Sequence, residues 1–236
     1  MALSHSPSVV TDSLLLYFDA ANIKSYPGTG TTWTDASGIS TGGGTLTGNA
    51  SFSTAPARIE TNAISQVGYD DRLGMTNTLT LSDGTAYSLE FWFKLRPTPA
   101  ATYHSLTGLG STTRWFGVEA LDTGVNSWRI FFRRDGGAYD FSTTITNWNI
   151  AANWTQVVLS VNADRTFSYY YNGQLINASS HVITTMVMNR LAGGYSSGGS
   201  LYTLQGALSV AKVHSRALSA VEVRQNFNAL RGRFGI

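Results

Sequence analysis

Glu90, Trp92 and Lys94 occupy every second position of Tyr87–Leu95, so in an extended strand their side chains leave the same face. A flat indole flanked by an acceptor and a cation can stack on a sugar ring and hydrogen-bond its hydroxyls. These three are the candidate carbohydrate-binding residues. The competing reading makes Trp92 ordinary core beneath a covering loop, because large apolar side chains are usually buried. Trp115 and Tyr170 admit the same two readings.

Other chemistries have weaker support. Glycoside hydrolysis needs two carboxyl groups facing each other across a cleft. The glutamates are Glu60, Glu90, Glu119 and Glu222. The acids of Glu119-Ala-Leu-Asp122 are an odd number of residues apart and fall on opposite faces of a strand. The expectation is a chain that is not an enzyme. Asp19, Asp35, Asp70 and Asp71 offer the hard oxygens calcium prefers, though without a compact loop motif. Asp19 is the calcium candidate; it and Asp35 could equally cap turns. His5, His104, His181 and His214 are scattered and lack zinc-ligand spacing. No cofactor other than calcium is suggested.

The elements that would position these residues follow from alternation. In Tyr87–Leu95, Tyr87, Leu89, Phe91, Phe93 and Leu95 form an apolar face opposite Ser88, Glu90, Trp92 and Lys94, which predicts a central strand of a β-sandwich. Asp83-Gly84 turns into it, and Pro97 and Pro99 end it. Further strands are expected at Leu14–Phe18, Ala57–Thr61, Thr113–Ala120, Trp128–Arg134, Tyr139–Ile145, Trp154–Val161, Thr166–Tyr171 and Gln174–Ile176, with a last long one at Leu201–Val213. Asp135-Gly136-Gly137 and Asn172-Gly173 are hairpin signals. Ser219-Ala-Val-Glu222 is a capping box that opens a short helix, with Val223, Phe227 and Leu230 on one face and Gly232 as its C-terminal cap. This helix should close one end of the sandwich.

Composition narrows the class. Only 13% of the 236 residues are charged while 42% are hydrophobic, so the solvent face must be built from Ser, Thr, Asn, Gly and Gln. A net charge of +2 without a basic run argues against a nucleic-acid partner. Leu14–Phe18 is too short for a signal core or a membrane span. With no cysteine, folding in a reducing cytosol is expected.

Several of these segments together carry a family resemblance. Trp33-Thr-Asp-Ala-Ser-Gly38, Leu89-Glu-Phe-Trp-Phe-Lys94, Trp154-Thr-Gln-Val-Val158, Tyr171-Asn-Gly-Gln174 and Ala211-Lys-Val-His-Ser-Arg-Ala-Leu-Ser219 resemble the concanavalin A-like lectin/glucanase superfamily, in its laminin G-like branch. The opening Val10–Asn22 with Ser25–Gly28, and the closing Asn226–Gly235, are similar to such domains in tailed-phage structural proteins. The resemblance implies an all-β, two-sheet antiparallel jelly-roll sandwich with a short C-terminal helix, arranged as an N-terminal arm (1–13) and one domain (14–236). Where the family usually carries a Phe-Asp-Gly and paired-Asp segment, this chain has Ser51-Phe52 followed by Ala55–Asp71. The function implied is a virion structural protein, a head decoration or tail-fibre component, made in the host cytoplasm and placed on the particle surface. Its partners would be other virion proteins and further copies of itself as a homo-oligomer, with the Met1–Ser13 arm as a docking element. The alternative is a lectin-like module for host or environmental polysaccharide.

Overall fold

In the computed structural model, residues 7–39, 42–61, 71–96, 103–108, 115–120, 127–133, 139–146, 153–180, 185–197 and 200–236 are described. The strand expected at the centre, β7 (Tyr87–Leu95), is the middle of the first sheet. That sheet runs β14 (Gln174–Ser180), β13 (Thr166–Tyr171), β12 (Thr155–Val161), β7, β18 (Gly206–His214), β5 (Ala57–Thr61) and β4 (Ser51–Thr54). β1 (Leu14–Asp19) pairs with the second half of β18 while β5 pairs with its first half. The second sheet runs β11 (Tyr139–Thr146), β10 (Ser127–Arg133), β9 (Trp115–Ala120), β8 (Tyr103–Gly108), β15 (Met186–Leu191), β6 (Arg72–Leu81), β3 (Gly44–Thr47) and β2 (Thr32–Trp33). A small hairpin of β16 (Gly193–Ser197) and β17 (Ser200–Thr203) completes the strands. The paired strands are antiparallel, and the two sheets face each other as a jelly-roll sandwich.

The core follows from the period-two pattern. Leu89, Phe91 and Phe93 of β7, Leu16 and Phe18 of β1, and Val157 and Leu159 of β12 meet Phe116, Val118, Ile130 and Phe132 of the opposite sheet in one buried cluster. Burying so many large side chains removes enough apolar surface to hold two eight-stranded sheets together without a disulfide. The single helix, α1 (Ala220–Phe234), starts at the expected capping box: Ser219 accepts from the Glu222 amide, and Glu222 reaches back to the Ser219 amide. It runs past Gly232 and is capped by Gly235 in the left-handed conformation. Asn172 and Gly173 adopt φ of 46° and 74°, the paired positive values of a tight hairpin turn. Among the described residues no helix is long and apolar enough to cross a membrane.

Two expectations change in the strands. The last strand is not continuous over Leu201–Val213: β17 ends at Thr203 and β18 begins at Gly206. Buried Leu204 interrupts it by donating its amide to Ala192. Gly206 restarts the chain where a Cβ would collide with the Lys94 carbonyl. The sequence expectation also omits β2, β3, β4, β6, β8, β15 and β16, although β6 does alternate, with Leu73, Met75, Leu79 and Leu81 on one face. The N-terminal segment is fastened to the domain from residue 8 on: the Val10 amide donates to Asn226 Oδ1 at 2.6 Å, and Gln225 donates to the Ser8 carbonyl at 2.8 Å. Asp12 pairs with Arg216 at 2.8 Å. Thr113, Arg114, Arg134 and the Asp135–Gly137 turn lie outside the described residues.

Candidate functional site

The face bearing Glu90, Trp92 and Lys94 is not open sheet. α1 lies across it, and both Glu90 and Trp92 are fully buried. Trp92 is stacked on Phe234 and Phe227, with ring centroids 4.6 and 5.8 Å away. Leu230, Val210 and Trp154 complete this second apolar cluster. The helix thus covers the middle of the first sheet rather than closing an end of the sandwich. Of the two readings of Trp92, the covered one describes the ring: it is core, with α1 rather than a loop as its cover.

Glu90 is held as a buried ion. Its Oε1 accepts from Trp92 Nε1 and Gln156 Nε2, each at 2.9 Å. Its Oε2 accepts from Asn226 Nδ2 at 2.8 Å and from Lys212 Nζ at 3.4 Å. Four donors match the roughly four lone-pair sites of a carboxylate. Burial pushes the Glu90 carboxyl up, but Lys212 with the Gln156 and Trp92 hydrogen bonds outweighs it and holds the group below its ordinary value. Burial draws Lys212 down, against the pull of Glu90. Beyond Lys212, the Tyr17 hydroxyl donates to Asp19 at 3.1 Å, and Arg233 spans both Asp19 oxygens. The network ties β1, β7, β12 and β18 to the helix.

Asp19, the calcium candidate, is therefore committed elsewhere. Oδ1 accepts from the Ala21 amide and Arg233 at 2.9 and 2.7 Å, and Oδ2 from Tyr17 and Arg233. This correction follows from charge balance, since a guanidinium fork already fills the carboxylate. Asp35 caps its turn through the Ser37 amide and also receives the Tyr17 amide. Asp71 is buried with the Asn49 amide on it, and Asp70 lies outside the described residues. The described residues hold no cluster of three or more ligating side chains.

Lys94 alone of the three candidates reaches open space. It lines a cleft of about 200 Å³ together with Ala55, Pro56, Arg58, Glu60, Thr61, Leu95, Arg96, Trp154, Gly206 and Ala207. Strand register explains the cleft. Ala207 of β18 lies directly between Glu60 of β5 and Lys94 of β7. A methyl group between two long side chains leaves a trough, and Gly206 beside it adds no side chain. Trp154, 7% exposed and packed on Phe234 at 4.7 Å, walls one side. Arg58 grips Glu60 at 2.6 Å and donates to the Ala55 and Pro56 carbonyls, fixing the opposite rim. The sequence carries a signal for this site in the alternations Arg58-x-Glu60 and Lys94-x-Arg96, each placing two charges on one strand face. The sequence expectation missed Arg58, Glu60, Arg96 and Trp154.

On the outer face of the other sheet, Trp115 is also fully buried. It stacks on Tyr202 at 5.3 Å and meets Phe131 edge-on at 4.5 Å. Tyr170 is buried with Val10, Val158, Leu218 and Val223 under the start of the helix. Glu119 pairs with Arg129 at 3.0 Å, and Asp122 lies outside the described residues.

Solved structures of known proteins share the fold. A mutant of Trypanosoma rangeli sialidase displaying trans-sialidase activity superposes with a TM-score of 0.66 at 18% identity, over 97% of this chain and 35% of that one. The botulinum neurotoxin serotype D binding domain superposes with a TM-score of 0.59 at 13% identity, over 92% of this chain and 52% of that one. A botulinum neurotoxin type C structure, described as interacting with two ganglioside molecules, gives a TM-score of 0.59 at 14% identity, over 93% and 52%. The chain spans about a third of the sialidase and about half of the toxin chains. The sialidase corrects the expectation that the chain is not an enzyme: the fold occurs in a catalytic protein, so it carries no exclusion of catalysis. No match was found among curated proteins. Residues 68–224 match the laminin G family described as the concanavalin A-like lectin/glucanases superfamily, and the chain belongs to that family.

Proposed function

We propose that this chain binds carbohydrate, taking one residue of a glycan chain in the trough between Lys94 and Glu60. The trough itself carries the reading. It combines hydrogen-bonding rims with an apolar wall. Its volume of about 200 Å³ is below the ~300–1,000 Å³ of pockets that enclose a drug-sized ligand. That suits one sugar unit with the rest of the polymer running over the surface. Receptor-binding domains of the same fold, one described with gangliosides, support the reading. The test is a polysaccharide array probed with the wild type and Lys94→Ala. Selective binding that weakens in the variant, at an unchanged thermal midpoint, supports the proposal. A folded wild type that binds nothing overturns it.

The finer reading places the module on a tailed-phage particle, as a head decoration or tail-fibre component made in the host cytoplasm and assembled from repeated copies. It rests on the resemblance of the two chain ends. What favours treating them as one feature is their contact: Asp19 of the opening segment holds Arg233 of the closing one at 2.7 Å, and Val10 holds Asn226. Antibody raised against the chain should label purified particles at regular positions. Label confined to unassembled protein would contradict it.

A further inference from the structure

The charge of the trough specifies its ligand further, on the basis of the glycan-binding reading above. Glu60 is already paired with Arg58, whose remaining donors reach the Ala55 and Pro56 carbonyls. The β5 rim is therefore neutralised from within. Across the trough the lining contributes the Lys94 ammonium, while Arg96 beside it is engaged, donating to the Thr61 carbonyl at 3.4 Å. Glu60 is taken up by Arg58 and forms no ion pair with Lys94. The two strands are separated by β18, which places their backbones about 9–10 Å apart, twice the spacing of neighbouring strands. Among the described residues no carboxylate lies within ion-pair distance of the Lys94 ammonium.

An ammonium at the rim of a cleft, with no counter-ion among the described residues, is one half of a charge-assisted pair. We infer that the trough takes an anionic sugar, its carboxylate or sulfate ester meeting Lys94. The ring hydroxyls face Glu60, and the apolar ring face lies towards Trp154 and Pro56. The same arrangement disfavours a cationic ligand and gives a neutral glycan nothing to place on Lys94.

The experiment uses the full chain with three polymers: polygalacturonate for carboxylate, dextran sulfate for sulfate ester, and uncharged dextran. Affinities are measured by calorimetric titration at low and high salt, for wild type, Lys94→Gln and Lys94→Arg. At least one acidic polymer should bind about tenfold or more tighter than dextran, as a charge-assisted contact gives, and should weaken as salt shortens the screening length. Lys94→Gln should lose about tenfold on that polymer, the scale of one such contact, while Lys94→Arg retains it. The polymer preferred identifies the anion. Dextran bound as tightly as the acidic polymers, with Lys94→Gln indistinguishable from wild type, would overturn the anionic ligand and leave glycan binding standing. Acidic-polymer binding that Lys94→Gln leaves unchanged would also overturn it, placing the anion elsewhere. A folded protein that binds none of the three and nothing on a wider array overturns this inference and the glycan reading together.

Discussion

The indole of Trp92 stacks on the ring of Phe234, with centroids 4.6 Å and planes 18° apart. One residue is at the middle of the central strand and the other in the last turn of the helix, so this contact pins the helix to the sheet. Trp92→Ala should cost about 3–5 kcal/mol, the usual range for deleting a buried aromatic. Urea unfolding followed by circular dichroism measures it. Glycan affinity of the folded fraction should change less than in Lys94→Ala, because Trp92 is outside the trough.

The buried Glu90–Lys212 pair gives a sharper test. Glu90→Ala leaves a fully buried ammonium without its partner and should cost about 3–5 kcal/mol. The double variant Glu90→Gln with Lys212→Met removes both charges at similar volume, and should recover much of that loss. Urea midpoints of the single and double variants decide it. A single variant costing under about 1 kcal/mol would show that water or another group satisfies Lys212.

Much of this was legible in the chain. Strict alternation located β7, Asn172-Gly173 located the β13–β14 hairpin, and Ser219-Ala-Val-Glu222 located the start of the helix. What alternation cannot show is which face a distant element covers. Glu90, Trp92 and Lys94 share a strand face, yet the first two are under α1 and the third is beyond its edge. The helix does carry its own hint, since Phe234 continues the apolar stripe of Phe227 and Leu230, but reading Gly232 as the cap cut that residue off. The trough was hidden for a different reason. Its parts come from β5, β7, β18 and the residue before β12, joined only by register. The run Leu201–Val213, read as one strand, concealed that Gly206 and Ala207 form the floor of the trough.

Gly173 offers a local test of how the β13–β14 turn and helix fit. Its φ is +74°, and a Cβ there would sit 2.9 Å from Phe227 Cβ. Gly173→Ala combines an unfavourable backbone conformation with a clash against the helix, and should destabilise by more than about 1 kcal/mol. Thermal unfolding measures it. A neutral effect would mean that the helix can shift at that contact.

Acid sensitivity should include Glu222. Hydrogen bonds from Arg216 hold its carboxyl down at about 2, against an ordinary value of 4.5. A depressed carboxyl contributes stability that is present above its unfolded value and lost as pH falls through the folded one. Stability should therefore decline from near pH 4.5 towards about 2. Glu222→Gln keeps an acceptor for the Ser219 cap but not the charge. It should lower stability at neutral pH by up to about 1 kcal/mol and flatten the acid limb in urea titrations.

A glycan seated in the trough between Lys94 and Glu60 should leave a local signature. The most direct measurement is a nuclear magnetic resonance titration of isotopically labelled protein with polygalacturonate or another polymer selected on the array. Shifts should concentrate at the amides of Lys94, Gly206 and Ala207 and the indole of Trp154, with the indole of Trp115 unmoved. Shifts centred on Trp115 and Tyr202 would place the ligand on the opposite sheet and contradict it.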